Sequence, residues 1–467
     1  MSRVIFAVPP CSSEKGSAQA TKNRQYQYFK DPTYIFPVIP ATFLTMLFQT
    51  PGHNVLLIDS VAEEISEREF ADMIFEMKPD YIVFEANYML FDKYAEVINN
   101  IKEFSPGIKI ILCGEHPTAL YDEAKEKAKA DFILKGGKWY KEAYKIITGS
   151  EWYKPIPIIN RDISRWWLYA EHNGNFKYVP ATYSMASEDC WYRPGGGACT
   201  FCSWVSYHPE TFTREPEDVY EEFLHCAEMG FKEIFDDSGT FPVGKWLKKF
   251  CAKMKEPLDV NGRIAPLSDI LAWGCNMRFG CLQPEDFKMM ADAGCRFILW
   301  GFESANQKTL DKIKKGYKVE EVSKDLIHSR MAGIWNHLTV MMGYWWEDLE
   351  DEKRTYEMVK WLLLNDWAAS VQSTVFMPYP GTESYKQAQE EGVLLETDWR
   401  KWDMTNQITK LKYPFEEVLN LQRKYYKISY HPKFIWNKLS KIKTWDDVKF
   451  YWRIAKKVIN RFEGVHR

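Results

Sequence analysis

Short apolar runs alternate with amphipathic segments through residues 1–150. The runs are almost continuously apolar, which is typical of parallel strands buried on both faces. Between them, apolar residues recur at helical spacing, so a helix follows each strand. The predicted strands are Val4–Val8, Val55–Asp59, Tyr81–Phe84, Ile108–Cys113 and Phe132–Leu134, and the predicted helices are Ala41–Gln49, Glu67–Met77, Lys93–Glu103 and Ala119–Lys129. This order predicts an α/β domain with a doubly wound parallel sheet.

The alternation returns in residues 179–385, after a linker over residues 151–178 that is rich in Pro, Ile and Trp. Six strand–helix units predict a partial TIM-like (β/α)6 barrel, with chemistry at the carboxyl ends of its strands. Residues 386–467 predict a helical C-terminal domain. The predicted strands are Ala181–Ala186, Glu233–Asp236, Met277–Phe279, Phe297–Gly301, His337–Met342 and Val371–Met377, and the helices are Pro216–Met229, Lys245–Lys255, Pro284–Ala293, Val319–Ala332 and Leu349–Leu364.

The composition is globular: 46% of the 467 residues are hydrophobic and 27% are charged, enough for about three domains. No stretch reaches the roughly 20 apolar residues that span a bilayer. The first apolar run is too short for a signal peptide, so we expect a cytoplasmic protein. The ten cysteines are then reduced thiols or metal ligands. No G-x-G-x-x-G motif follows the first strand, and a dinucleotide is not indicated.

The charge is uneven along the chain. Residues 423–467 hold 13 Lys and Arg against 3 Asp and Glu, a net +10, so the rest of the chain carries −13 within the total of −3. Aromatic residues are interleaved with these charges. One interpretation is a helical cap with a solvated basic face, docked on the acidic body. The other is peripheral contact with an anionic membrane surface through this basic, aromatic tail.

Three cysteines in one segment carry the most specific chemistry. Cys190, Cys199 and Cys202 lie just after the first predicted barrel strand, where such a barrel places its active site. Three thiolates can hold three irons of a [4Fe–4S] cluster and leave the fourth iron open to another ligand. The C-x-x-C pair also occurs in zinc sites, which need a fourth protein ligand, and His208 is a candidate for it.

The segment from 179 to 385 resembles the radical S-adenosylmethionine (SAM) superfamily. Cys190, Cys199 and Cys202 match the two ends of the family's C-x-x-x-C-x-x-C motif, with an insertion that includes Gly195-Gly196-Gly197. The resemblance implies a [4Fe–4S] cluster on these cysteines. It also implies SAM contacts from two strand-end elements, namely Asp236-Asp237-Ser238 and the Glu303-Ser304 part of a G-x-E-S motif.

The turn Met377-Pro-Tyr-Pro-Gly-Thr382 is similar to one in the branch of this family that carries a cobalamin-binding domain upstream. The resemblance makes residues 1–150 a Rossmann-like, cobalamin-binding type of domain. Its implied cobalamin contacts are the strand-end residues Pro9, Pro10, Gly114, Glu115, His116, Pro117, Thr118, Gly136 and Gly137.

Two features depart from that branch. Lys135-Gly-Gly-Lys138 stands where members often have G-E-G-E, and the D-x-H-x-x-G signature of an axial histidine is absent. His116 is therefore expected to be a loop hydrogen-bonder and not a cobalt ligand.

The function that this resemblance implies is reductive cleavage of SAM to a deoxyadenosyl radical, with cobalamin-dependent methylation of an unactivated carbon. The alternatives are a radical cyclase or carbon–carbon coupling enzyme that does not use cobalamin for methyl transfer, and a cluster- or cobalamin-binding regulatory protein without turnover. The expected partners are a small-molecule, lipid or peptide substrate and a reductant such as flavodoxin or ferredoxin, and no nucleic acid.

Overall fold

The computed structural model describes residues 2–18, 28, 34–171, 175–193, 199–208 and 210–465. Its first part contains strands and helices in alternation. The strands are β1 (Ser2–Val8), β2 (Ser12–Ser13), β3 (Gly16–Ser17), β4 (His53–Asp59), β5 (Tyr81–Glu85), β6 (Lys109–Cys113) and β7 (Phe132–Ile133). The helices are α1 (Val38–Phe48), α2 (Glu67–Met77), α3 (Phe91–Phe104), α4 (Glu115–Ala119), α5 (Tyr121–Lys127) and α6 (Trp139–Thr148).

These elements form the predicted doubly wound sheet, with five parallel strands in the order β4-β1-β5-β6-β7. β2 and β3 pair separately as a small hairpin. The sheet core is apolar because the central strands are buried on both faces, and Val4–Val8 are almost inaccessible to solvent. The predicted helix Ala119–Lys129 is α5, which is shorter at both ends; it begins at Tyr121 because Leu120 leaves helical geometry at φ −125° and ψ 53°, and the short helix α4 before it was not predicted.

The second part is the predicted partial barrel. Its main strands are parallel in the order β15-β14-β13-β12-β9-β8, and β10 and β11 form an antiparallel hairpin. The strands are β8 (Ala181–Ser184), β9 (Glu233–Asp236), β10 (Pro257–Val260), β11 (Arg263–Pro266), β12 (Ala272–Met277), β13 (Cys295–Glu303), β14 (Trp335–Met342) and β15 (Ser370–Val375). The helices are α7 (Ser203–Tyr207), α8 (Pro216–Glu228), α9 (Lys245–Met254), α10 (Pro284–Asp292), α11 (Gln307–Lys312), α12 (Val319–Met331), α13 (Leu349–Leu364) and α14 (Glu383–Glu390).

The prediction of the third barrel strand was wrong in its position. β12 occupies Ala272–Met277, whereas the apolar pattern predicted Met277–Phe279. Gly274 and Asn276 interrupt the apolar run, although both lie in a buried strand. Polar residues at the carboxyl end of such a strand belong to its ligand-binding edge. An apolar run therefore does not mark the full length of this strand, even though the strand is buried.

The C-terminal segment is helical, as predicted. Its helices are α15 (Phe415–Lys427), α16 (Pro432–Leu439) and α17 (Trp445–Val465), and short 3-10 turns occur along the chain at Trp166–Leu168, Leu267–Asp269, Trp399–Lys401 and Ile428–Tyr430. In the part of the chain that the structure describes, no helix is long and apolar enough to cross a membrane.

A buried ion-pair network ties the linker to the barrel. The Arg161 guanidinium donates to Glu222 at 2.6 Å and to the carbonyl oxygen of Tyr183 at 3.0 Å. Arg214 pairs with the other carboxylate oxygen of Glu222 at 2.5 Å. These two guanidiniums outweigh burial and hold the pKa of Glu222 below its ordinary value. The segment that joins the two sheets is therefore held against α8 and β8.

The carboxyl ends of the two sheets face each other. The Tyr88 hydroxyl, after β5, donates to the carbonyl oxygen of Pro380 at 2.8 Å, and its ring stacks on Tyr379 at 5.2 Å. Ser203, at the start of α7, donates to the Glu115 carboxylate at 3.2 Å. Ligands of parallel α/β sheets bind at these ends, so both ligand-binding edges open on the same interior.

Candidate metal and SAM site

A cavity of about 240 Å³ lies among the carboxyl ends of the barrel strands. It is bordered by all three predicted cluster cysteines and by ionisable side chains from several strand ends. These include Cys190, Cys199, Cys202, Asp237, Glu303 and Lys315. The fold thus brings to one cavity residues that are far apart in the sequence, such as Cys190 and Lys315, which are 125 positions apart.

Cys190 packs directly against the turn that follows β9. It pairs with Thr240 in an isolated parallel bridge, and its thiol donates to the Thr240 hydroxyl oxygen at 3.2 Å. The approach is so close that a Cβ on Gly239 would lie 2.6 Å from the Cβ of Cys190. Only glycine leaves room at position 239, a requirement that the sequence analysis missed.

Cys199 and Cys202 are held by other segments than Cys190. Between them, Thr200 donates its amide to Ile313 at 3.1 Å and accepts the Ser384 amide at 2.8 Å. Burial raises the pKa of the Cys199 thiol to about 12. A thiolate there requires compensating positive charge, as a bound metal cluster supplies. The inserted residues Gly195-Gly196-Gly197 lie outside the described residues.

Two cations next to the cysteines were not predicted. The Lys315 ammonium pairs with Glu303 at 2.7 Å, and burial opposes its charge, yet the neighbouring Glu303 raises the pKa of Lys315 above its ordinary value. The Arg278 guanidinium lies 3.5 Å from the ring centroid of Tyr192. The signal for Arg278 was its place immediately after β12, at the ligand-binding edge.

The tyrosine of this loop also needs a glycine partner. Gly316 adopts φ +70°, and a Cβ there would lie 1.6 Å from the Tyr192 hydroxyl oxygen. Glu303 itself has φ +64° at an irregularity of β13, which is uncommon for a residue with a side chain. Such strain at a strand end is typical of functional positions.

The predicted SAM-contacting residues divide into two groups. Asp237 and Glu303 line the cavity, and Asn276 donates to Asp237 at 2.9 Å. Asp236 instead accepts the Ala186 amide at 2.6 Å, and burial raises its pKa to about 7. It therefore joins two strand ends.

The two predicted serines also hold the backbone in place. Ser238 accepts the Ser187 amide at 2.8 Å, and the Ser304 hydroxyl donates to the buried Glu347 at 3.1 Å. Neither residue is part of the cavity lining that the described residues form. These serines contribute to the shape of the strand ends.

The predicted cobalamin-contacting residues lie at the edge of the N-terminal sheet, outside that cavity lining. Pro9 and Pro10 are buried after β1, and Pro117 is buried in α4. The Thr118 hydroxyl donates to the Gly114 carbonyl at 2.6 Å and accepts the Gly136 amide at 2.9 Å. Hydrogen bonds within the domain thus link the loops after β6 and β7.

His116 and Gly137 both contact other residues of the chain. The His116 ring stacks on Phe91 at 3.6 Å, with Nε2 3.6 Å from the Glu123 carboxylate, and burial lowers its pKa. Gly137 donates its amide to Tyr207 at 2.7 Å. A Cβ on Gly137 would lie 1.9 Å from the ring of His208, the zinc-ligand candidate, whose ring also stacks on Trp204.

Three buried polar side chains surround the end of β1. Ser60 follows β4, Asn87 follows β5, and Tyr94 lies in α3. Their Oγ, Nδ2 and Oη atoms are buried and have no hydrogen-bond partner among the described residues. β4 and β5 flank β1, and the crevice at such a switch point is where doubly wound sheets bind ligands. Buried polar groups of this kind fit a bound polar ligand.

No three His, Cys, Asp or Glu side chains of the described residues close around a single metal ion. The cysteines are nevertheless near enough for the charges of Cys190 and Cys202 to act on Cys199. A cubane spreads its cysteine ligands over three irons, so it requires a wider arrangement than a mononuclear zinc ion. The three cysteines and the cavity between them fit a [4Fe–4S] cluster.

Gly239→Ala tests the contact beneath Cys190. The added methyl group would displace the Cys190 backbone, because the nearest atoms are on the main chain and on Cβ. We expect iron and sulfide per chain to fall several-fold after anaerobic reconstitution. Gly107→Ala is the matched control, since nothing lies within 4 Å of its Cβ position. Equal cluster content in both variants would contradict the account.

Comparisons with known proteins agree with this geometry. An uncharacterized methyltransferase of Pyrococcus horikoshii is 26% identical over 412 residues, which cover 80% of this chain and 83% of that protein. The anaerobic magnesium-protoporphyrin IX monomethyl ester cyclase of Rubrivivax gelatinosus is 22% identical over 413 residues, covering 80% and 70%.

Among solved structures, the cobalamin-dependent SAM radical enzyme OxsB, with aqua-cobalamin and SAM bound, has the same fold, with a TM-score of 0.66 at 15% identity. The match covers 98% of this chain and 71% of that one. Residues 188–359, which include all three cysteines, match the radical SAM superfamily. The family implies a [4Fe–4S] cluster and SAM. Residues 188–359 are therefore a radical SAM domain, and the protein is a radical SAM enzyme.

Proposed function

We propose that this protein is a cobalamin-dependent radical SAM methyltransferase that acts on an unactivated carbon. The observation that carries the proposal is the single cavity bordered by Cys190, Cys199 and Cys202 at the barrel strand ends, beneath the ligand-binding edge of a second parallel sheet. A barrel alone suffices for radical chemistry, whereas the opposed sheet adds a place for a second cofactor.

The three cysteines would hold the cluster and leave one iron open for the amino and carboxylate groups of SAM. When bound, the reduced cluster supplies the electron that cleaves SAM and generates a deoxyadenosyl radical. Lys315 and Arg278 offset the negative charge of the thiolates. Asp237 and Glu303 present carboxylates to the cavity, where they can accept hydrogen bonds from SAM. The facing sheet excludes water from the radical.

Ser60, Asn87 and Tyr94 support cobalamin binding, because their buried, unpartnered polar atoms surround the switch point of the N-terminal sheet. When bound, cobalamin supplies a methyl group for transfer to carbon. The His116 ring is stacked and faces Glu123, which agrees with a cofactor held without a histidine on cobalt. The bound cobalamin of OxsB and the name of the Pyrococcus relative support the same assignment.

A second candidate is radical ring closure or another carbon–carbon bond formation without methyl transfer. The similarity to the Rubrivivax cyclase over 80% of this chain favours it. The contact between Gly137 and the end of α7 also favours this candidate. It covers Gly137, which is one of the predicted cobalamin contacts.

Cys190→Ser, Cys199→Ser and Cys202→Ser test the cluster assignment. Each variant is expected to lose the cubane and to form deoxyadenosine from SAM at least about a hundredfold more slowly under reductant, because no other group replaces a thiolate at the iron. Deoxyadenosine is measured by chromatography, and the cubane by absorbance and iron content. Cys281→Ser is the control, because this half-buried thiol lies outside the cavity lining. Undiminished turnover in any of the three variants would refute the assignment.

Asn87→Ala tests the cobalamin site. Removing a buried donor to the cofactor should weaken hydroxocobalamin binding by about fivefold. Binding is measured by equilibrium dialysis and by cobalt content after anaerobic purification. Asn100→Ala, at an exposed position of α3, is the control. Stoichiometric deoxyadenosine formation without any cobalamin binding would reject methyl transfer and favour the second candidate.

A further inference from the structure

Helix α16 turns its apolar side chains outward. Pro432, Ile435, Trp436 and Leu439 follow the i, i+3, i+4, i+7 spacing of one helical face. Trp436 is 70% exposed, Leu439 55% and Ile435 41%. On a helix of a globular protein this stripe ordinarily faces the core. Here it faces solvent.

Polar contacts fix this orientation. The Asn437 side chain donates to the Leu364 carbonyl at 3.1 Å, and Lys433 donates to Asn365 at 2.9 Å. Lys438 lies over the ring of Trp335, with its ammonium 5.5 Å from the centroid. The inner face of α16 is therefore held to the barrel by these contacts and by Phe434, which packs against the core, and the outward stripe is a fixed feature of the surface.

Helix α17 repeats the arrangement. Trp445, Val448 and Trp452 are spaced i, i+3, i+7, and the two tryptophans are 71% and 65% exposed. The opposite face is docked: the Phe450 ring packs on Trp335 at 5.6 Å. Both helices thus meet the first residue of β14, at the amino end of the barrel and away from the cysteines.

We propose that these two stripes form a surface that binds the interface of an anionic lipid bilayer. This C-terminal aromatic surface consists of Ile435, Trp436, Leu439, Trp445, Val448 and Trp452. Tryptophan and tyrosine favour the headgroup region of a membrane, where their rings are apolar and their polar atoms remain hydrated. Single exposed apolar residues are ordinary on proteins, but a clustered set of this size marks a binding surface.

The positive charge of this part of the chain favours an anionic bilayer over a second copy of the protein as the partner. Lys443 and Lys449 are exposed within these segments, and residues 423–467 carry a net +10. A second copy of the same surface would bring like charges together, which opposes self-association. An anionic bilayer presents the complementary charge, and basic residues near it strengthen binding. This inference does not depend on the chemistry at the cysteines.

The test is cosedimentation of the full chain with phosphatidylcholine vesicles, with or without phosphatidylglycerol. We expect binding to the anionic vesicles, weakened by salt. In the triple variant Trp436→Ser, Trp445→Ser, Trp452→Ser the partition coefficient should fall by about tenfold or more. Because these side chains are exposed, the variant should retain its fold, which circular dichroism and deoxyadenosine formation verify.

The matched control is Phe75→Ser, Phe104→Ser, Trp167→Ser, which removes equally exposed aromatics elsewhere. It should bind anionic vesicles like the parent chain. The proposal is overturned if the parent chain does not bind anionic vesicles, if both triple variants lose binding equally, or if sedimentation velocity shows that the surface instead mediates dimerisation.

Discussion

The site depends on the close approach of Cys190 to Gly239, which leaves no space for a side chain between the cysteine loop and the turn after β9. Tyr192 and Gly316 approach each other in the same way, with no space for a side chain at position 316. Arg278 then stacks on Tyr192 from the end of β12. Three strand-end segments thus hold the first part of the loop. The direction in which Cys190 faces follows from backbone packing, and the inserted glycines between the cysteines are not needed to explain it.

The second constraint is that two parallel sheets direct their carboxyl ends toward each other. Tyr207 illustrates the result, because it follows Cys202 by five residues and donates its hydroxyl to Glu85 at the end of β5 at 3.0 Å. Glu85 is half-buried there, and burial raises the pKa of its carboxyl group to about 7. A reactive radical requires such a closed interior. The N-terminal domain therefore covers the carboxyl ends of the barrel strands.

Much of this architecture was accessible from the sequence, for physical reasons. Glu233–Asp236 and Leu349–Leu364 were predicted with the bounds that the structure has, because a buried strand and an amphipathic helix each impose a clear period. The cysteines stood out because metal ligation demands a specific residue type at short spacing, and the structure places all three on one cavity. Ser238 and Ser304 resembled ligand contacts, yet they hold the backbone; a motif does not distinguish the two uses.

Other features depend on tertiary structure alone. Lys315 is 116 positions after Cys199 and reaches the same cavity only through the closure of the barrel (315 − 199). The outward stripes of α16 and α17 have the same 3.6-residue period as inward ones, so the sequence could not tell which face the barrel would contact. The predicted helix Ala119–Lys129 began two residues too early, because the helical spacing does not show that Leu120 leaves helical geometry.

The central claim is an iron–sulfur cubane with one iron that no cysteine holds. ⁵⁷Fe Mössbauer spectroscopy of the anaerobically reconstituted full chain, recorded with and without SAM, tests it most directly. The account predicts a [4Fe–4S] spectrum in which one iron site changes its isomer shift and quadrupole splitting when SAM is added. A spectrum without a cubane, or a cubane whose four irons are unaffected by saturating SAM, would contradict it.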